Sequence, residues 1–236
     1  MTEPIPWPVA QGLDLVLFDL DGTLLEGDSE LAWTGFLAAN GFLDAHTQAA
    51  RDRAFARAYA RGELDTSRFL DFHLAPVLAL RHHSRAHLDA LNHRFLAETV
   101  RPMIKPQAAA TVRQHLDNGA MVALVTATNS FISGPIAREL GIHHLVATVL
   151  EQDDRGSFSG RNRGIPAFRD GKIERVDAWL ESLGLHGGSF DNTWFYSDSH
   201  NDLPLMQRVT RAVAVDPDAT LRAHAAGCGW PIISLR

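Results

Sequence analysis

Four short apolar runs, set apart by helix-compatible stretches, constrain this chain more than any other feature. They are residues 13–20 (LDLVLFDL), 121–125 (MVALV), 193–196 (TWFY) and 211–215 (RAVAV). A strand covered on both faces has no polar side to show, so it reads as a continuous apolar run without alternation. Helical patterns lie between them at 107–117, 131–140, 172–183 and 202–208. Strands alternating with helices predict an α/β, Rossmann-like parallel sheet with helices on both faces. At 236 residues, the chain has room for such a core and a second, smaller domain.

One stretch breaks the alternation. Residues 29–99 are rich in Ala, Leu and Arg and contain no convincing strand. Turn signals at Asn40-Gly41, Arg61-Gly62 and Pro76 divide this stretch into four helices. A helical insert after the first strand reads as a cap. The expected organisation is a core of residues 1–26 and 103–236 with a helical cap domain at 27–102. The polar, glycine-rich segment 151–166 (EQDDRGSFSGRNRGIP) is expected to form an irregular hairpin at the sheet's edge.

In an open parallel sheet, ligands bind beyond the carboxyl ends of the strands, so the residues just past each apolar run are informative. Asp19-Leu20-Asp21-Gly22-Thr23 comes after the first, Thr126 after the second, and Ser197-Asp198-Ser199-His200-Asn201-Asp202 after the third. Four carboxylates on one edge repel one another unless a cation neutralises them. Oxygen ligands without a cysteine cluster select a hard cation, and Mg²⁺ suits them. Magnesium keeps positions for phosphate oxygens, so a phosphate ester is the natural ligand. One carboxylate can attack phosphorus. A second, two residues on, can protonate the leaving oxygen and then activate water. Thr126 offers a hydroxyl to the phosphate, and Lys172, in Asp170-Gly171-Lys172, offers the positive charge that the transition state needs.

The run FDLDGTL at 18–24 resembles the first motif of the haloacid dehalogenase superfamily, DxDGTx. Val125-Thr126 resembles its second motif, Lys172 its third, and SDSHND at 197–202 its fourth, GDxxxD. With GIPAFRDGKIERVDAWL at 164–180, the chain is similar to subfamily IB, whose members include phosphoserine phosphatases. Two departures stand out: Ser197 where Gly is usual, and Ala-Thr-Asn after Thr126 where phosphoserine phosphatases have Gly-Gly. The resemblance implies a Mg²⁺-dependent phosphatase working through an aspartyl-phosphate. It makes Asp19 the nucleophile and a metal ligand, and Asp21 the acid/base that also binds metal through its carbonyl. Thr126 and Lys172 then hold the phosphoryl group, Asp198 is the second carboxylate on the metal, and Asp202 orders the metal's waters and Lys172. Asp28, nine residues after Asp19, stands where the family places a substrate-binding acid, and also where a helix N-cap is expected.

Other readings fit less well. Asp19, Asp21 and Glu30 match positions 1, 3 and 12 of an EF-hand, but Thr23 and Leu24 fail positions 5 and 6. His82, His83 and His87 lack metal-site spacing and read as solvated, His143 and His144 as a loop before a strand, His200 as a histidine near the site entrance, and Cys228 as a buried apolar residue. A net charge of -6 gives no footprint for nucleic acid, and no run approaches the ~20 apolar residues of a membrane span. The start carries no signal-peptide pattern, and a cytoplasmic protein acting on a small phosphorylated metabolite is expected. Transfer to an alcohol acceptor, or a silent phosphate- or metal-binding module, are the alternatives.

Overall fold

The computed structural model describes residues 12–61, 63, 65–154 and 156–236. The start read as lacking a signal peptide lies outside them, as do Gly62 of the predicted turn and Arg155 of the predicted hairpin. Strands β1 (Leu15–Phe18), β2 (Met121–Asn129), β3 (His144–Thr148), β6 (Thr193–Ser197), β7 (Arg211–Val215) and β8 (Ile232–Ile233) form one sheet in the order β3-β2-β1-β6-β7-β8. Every pairing in it is parallel. The four predicted strands are its centre, which is why they are apolar throughout. The edge strands β3 and β8 are half-exposed and carry a weaker signal.

Side-chain alternation splits β1 between two cores. Val16 and Phe18 pack toward Ala108 and Val112 of α6 (Pro106–Asp117) and Ile132 and Ile136 of α7 (Ser130–Glu139). Leu15 and Leu17 face the other way, toward Val176 and Leu180 of α8 (Asp170–Ser182), Leu205 of α9 (Leu203–Met206) and Leu221 of α10 (Ala219–Cys228). Helices therefore cover both faces. Cys228 is exposed at the end of α10, contrary to the buried reading. It closes a short helix whose inward face is carried by Leu221 and Ala225.

Between β1 and β2 lie α1 (Ser29–Ala39), α2 (Ala45–Ala60), α3 (Thr66–Leu80) and α4 (Arg85–Phe95). The helix continues through a wide π turn at Leu96–Val100 into α5 (Arg101–Met103). Four helices were expected, but Pro76 does not divide them; it is buried inside α3. Phe72, Val77 and Leu80 keep α3's apolar face buried on both sides of the proline, and packing outweighs the local cost. The break falls later, where Ser84 caps α4. The segments before α1 and after α5 pair with each other: Glu26 N–H donates to Met103 O (2.7 Å) and Lys105 N–H to Leu24 O (3.2 Å).

The segment after β3 forms a separate antiparallel pair, β4 (Leu150–Gln152) with β5 (Phe158–Asn162). It packs on α3, not along the sheet: Gly160 lies so close to Leu78 that any side chain there would collide with it. His82 and His87 are exposed, and His83 stacks on His87 at 4.9 Å. His144 opens β3. Among the described residues, no helix is long and apolar enough to cross a membrane.

Candidate active site

Asp19 is the first residue past β1, its N–H still bonded to Tyr196 O of the neighbouring strand (2.9 Å). Parallel register brings the ends of β1, β2 and β6 level, so Asp19, Thr126 and Asp198 share one edge. Lys172 reaches that edge from the first turn of α8. Its Nζ donates to Asp19 Oδ1 (2.7 Å) and Asp202 Oδ2 (2.8 Å), and all three side chains are buried. Ser197 Oγ also donates to Asp202 Oδ2 (2.7 Å). Burial alone would lower the Lys172 ammonium, but Asp19 and Asp202 outweigh it and hold the lysine above its usual range.

Asp21 is held by two donors from different elements. Ser29 N–H, at the start of α1, reaches Oδ1 at 2.6 Å, and the Thr128 hydroxyl reaches Oδ2 at 2.8 Å. Burial raises the carboxyls of both Asp19 and Asp21 from 3.8 to about 7, against the pull of Lys172 on the first and with Asp28 adding to the second. Asp198 is raised well above the usual range by burial and by the charges of Asp19 and Asp202. Thr23 ties the cluster together: Asp198 N–H donates to its Oγ1 (3.0 Å), while its hydroxyl reaches Asp198 Oδ1 (3.2 Å) and Asp19 Oδ2 (3.4 Å).

One lysine cannot neutralise these carboxylates, and the donors are all oxygens, so the site fits a hard cation. Among the described residues no three His, Cys, Asp or Glu side chains form a group that could by themselves hold a metal ion. Gly22 belongs to the same cradle. Its φ is +76°, and a Cβ there would sit 2.1 Å from Asp198 Oδ2.

The cavity at this edge has a volume of about 380 Å³ and two unlike ends. Asp19, Asp21, Thr126, Lys172, Asp198 and Asp202 line one; Leu31, Phe55, Phe69, His73, Phe168 and Asp28 line the other. Phe69 and Phe168 stack at 4.4 Å, joining α3 to the segment before α8. Asp28 is the N-cap of α1, its side chain accepting from Leu31 N–H (2.8 Å), and it also lines the cavity. His200 sits beside this edge, its Nδ1 2.8 Å from Asp218 Oδ2.

Sequence reasoning missed three contributors. Lys105 is buried and donates to the carbonyls of Gly22 (2.6 Å) and Thr23 (3.2 Å), fixing the loop after Asp19. Thr128 and Ser29 orient Asp21. Thr128 stood in view as the departure after Thr126, and its hydroxyl explains what that departure supplies.

Residues 16–207 match the model of the haloacid dehalogenase-like hydrolases. The chain belongs to that family. It is 39% identical over 223 residues to a protein named histidinol-phosphatase from Neisseria meningitidis, covering 94% of this chain and 99% of the relative. A solved structure of a protein of unknown function from Bordetella pertussis superposes with a TM-score of 0.87 at 43% identity, covering 95% of this chain and 99% of that one. A substrate-bound phosphoserine phosphatase shares the fold, with a TM-score of 0.66, 17% identity and coverage of 96% and 94%. The family member described here is a phosphoric monoester hydrolase.

Proposed function

We propose that this enzyme is a Mg²⁺-dependent phosphatase that works through a phosphorylated Asp19, and that residues 27–102 form a cap domain over a core of 1–26 and 103–236. The observation that carries the catalytic reading is the buried Lys172 bridging Asp19 and Asp202, next to an Asp21 anchored by Ser29 and Thr128. The carboxylates of Asp19 and Asp198 and the carbonyl of Asp21 would hold the metal, which supplies positive charge to the phosphoryl oxygens. A carboxylate oxygen of Asp19 attacks phosphorus and the ester P–O bond breaks. Asp21 gives its proton to the departing alkoxide. It then takes a proton from water, whose oxygen attacks phosphorus and frees Asp19 and phosphate. A carboxyl at about 7 can do both, because it changes state near working pH. Thr126 and Lys172 hold the phosphoryl oxygens, and Asp202 aims the lysine.

The aromatic end of the cavity speaks to the substrate, a small phosphorylated metabolite. Among the described residues, Lys172 is the only lysine or arginine lining the cavity, and it is engaged at the phosphate end. Asp28 and three phenylalanines remain for the leaving group. That favours a planar or cationic alcohol over one bearing a carboxylate, since aromatic faces and an acid both attract cations. L-Histidinol phosphate has these properties, and the name of the 39% identical relative supports choosing it. Released phosphate measured with L-histidinol phosphate and O-phospho-L-serine should give kcat/KM at least ~10-fold higher for the first. Activity should vanish in EDTA and return with Mg²⁺. A preference for phosphoserine refutes the leaving-group reading, and full activity in EDTA refutes the metal.

The crowded carboxylates also predict how the metal-free protein responds to pH. Asp19 and Asp21 are raised from 3.8 to about 7, so the folded state binds these protons more tightly than the unfolded chain. The stability this contributes is present at low pH and lost as pH rises toward 7. In EDTA, the melting temperature should fall between about pH 5 and pH 8, and Mg²⁺ should raise it more at the higher pH. A flat or rising trend in EDTA would contradict this electrostatic picture.

A further inference from the structure

Behind the aromatic end of the cavity, Glu30 of α1 and His73 of α3 meet in a buried space, and the catalytic steps above use neither. Glu30 Oε1 accepts from Asn129 Nδ2 (3.1 Å), but Oε2 is buried with no hydrogen-bond partner among the described residues. The group nearest in charge is His73 Nε2, 3.6 Å away. On the far side of the ring, His73 Nδ1 lies 2.8 Å from Phe69 O. A carbonyl oxygen can only accept, so Nδ1 carries a hydrogen. In a neutral ring, Nε2 is then a bare lone pair. A bare carboxylate opposite it would set two acceptors facing each other in a dry interior, a costly arrangement. One more proton belongs between them.

Two placements are available, an imidazolium facing a carboxylate or an imidazole facing a carboxylic acid. The first buries two charges, which is costly even when they pair. Like-charged Asp21 and Asp28 also stand near Glu30, and with burial they push its carboxyl well up, while burial pulls His73 down to about 4. We propose that Glu30 and His73 share one proton, carried on Glu30 Oε2 and directed at His73 Nε2, and that this neutral couple determines specificity in the leaving-group chamber. The 3.6 Å separation is longer than a formed hydrogen bond, and a small adjustment of either side chain closes it.

The consequence is local. His73 packs against Phe69 (ring centroids 3.8 Å apart) and Phe55 (5.6 Å), and it lines the cavity. Fixed and neutral, its ring is a wall that accepts a cationic leaving group beside Asp28. As an imidazolium, it would repel one. Glu30 joins that wall to the core through Asn129, next in sequence to the Thr128 that orients Asp21. This role rests on the leaving-group reading above; the placement of the proton does not.

The variants Glu30→Gln, Glu30→Met and His73→Met separate these ideas, because a glutamine amide can still donate to Nε2 and a methionine cannot. With L-histidinol phosphate, E30M should raise KM ~10-fold while kcat falls less than ~3-fold, and E30Q should keep KM within ~2-fold of the parent. In the double variant the effects of E30M and H73M on KM should come to less than their sum, since both break the contact between residues 30 and 73, while H73M also removes the ring that packs on Phe69 and Phe55. Nitrogen NMR of histidine-labelled protein gives a readout independent of turnover. His73 should be a neutral ring with Nδ1 protonated and Nε2 accepting a hydrogen bond in the parent and in E30Q, and that bond should be lost in E30M. If E30M does not fold, the parent and E30Q spectra still decide. An imidazolium at neutral pH, or E30Q as impaired as E30M, overturns the proposal. If the parent releases no phosphate from any ester, the phosphatase reading fails while the NMR still tests the couple.

Discussion

Replacing Asp19 by asparagine should abolish phosphate release while leaving the protein folded. In the proposed mechanism its carboxylate bonds to phosphorus, and an amide is far weaker as a nucleophile. The loss should be at least about four orders of magnitude, in line with removal of the nucleophile in other covalent enzymes. The fold should survive because what anchors residue 19 is its backbone, through the bond from its N–H to Tyr196 O. Lys172 keeps its second partner, Asp202. One negative charge also leaves a cluster in which burial and mutual repulsion hold Asp198 well above the usual carboxylate range. Phosphate release, intact mass after brief exposure to substrate, and thermal melting check the three parts. Turnover retained in Asp19→Asn would remove the nucleophile from the mechanism. A melting temperature far below the parent's would mean that the carboxylate also serves the fold.

Lys172→Met should cost both activity and stability. Lys172 is 3% exposed and donates to two buried carboxylates. Methionine fills a similar space but leaves Asp19 and Asp202 facing each other without a cation. Removing one partner of a buried ion pair typically costs about 3–5 kcal/mol, and denaturant unfolding in EDTA should show a loss in that range. Turnover should fall by a factor of about 10²–10³, because the proposed mechanism makes Lys172 a donor to the phosphoryl oxygens. Magnesium should recover part of the stability, since it brings positive charge to the same cluster, but little of the activity. A stability change under about 1 kcal/mol would show that the site relaxes around the missing cation at little cost. It would shift the lysine's importance wholly to chemistry.

What the amino-acid sequence determined by itself was the sheet and its working edge. A central strand must be apolar on both faces, so β1, β2, β6 and β7 are visible as runs, and in a parallel sheet their carboxyl ends lie together. The places of Asp19, Asp21, Thr126 and Asp198 are consequences of that rule alone. Lys172 and Asp202 were legible only as a lysine at a helix start and through the motifs they resemble, and the fold brings them together at Asp19. Edge strand β3 showed only as the strand expected after His143 and His144, β8 escaped notice because it is two residues long and partly exposed, and Pro76 misled because local propensity yields to burial of an α3 face.

Only the tertiary structure decided the aromatic part of the cavity. Phe55, Phe69 and Phe168 come from α2, α3 and the segment before α8, and no local pattern says that their rings will meet. The same holds for Lys105 under the Gly22–Thr23 carbonyls, for Thr128 on Asp21, and for the buried contact of Glu30 with His73. Strand edges are set by a backbone repeat that short sequence windows encode. The packing of helices against one another depends on side chains far apart in the chain, and only folding brings them within reach.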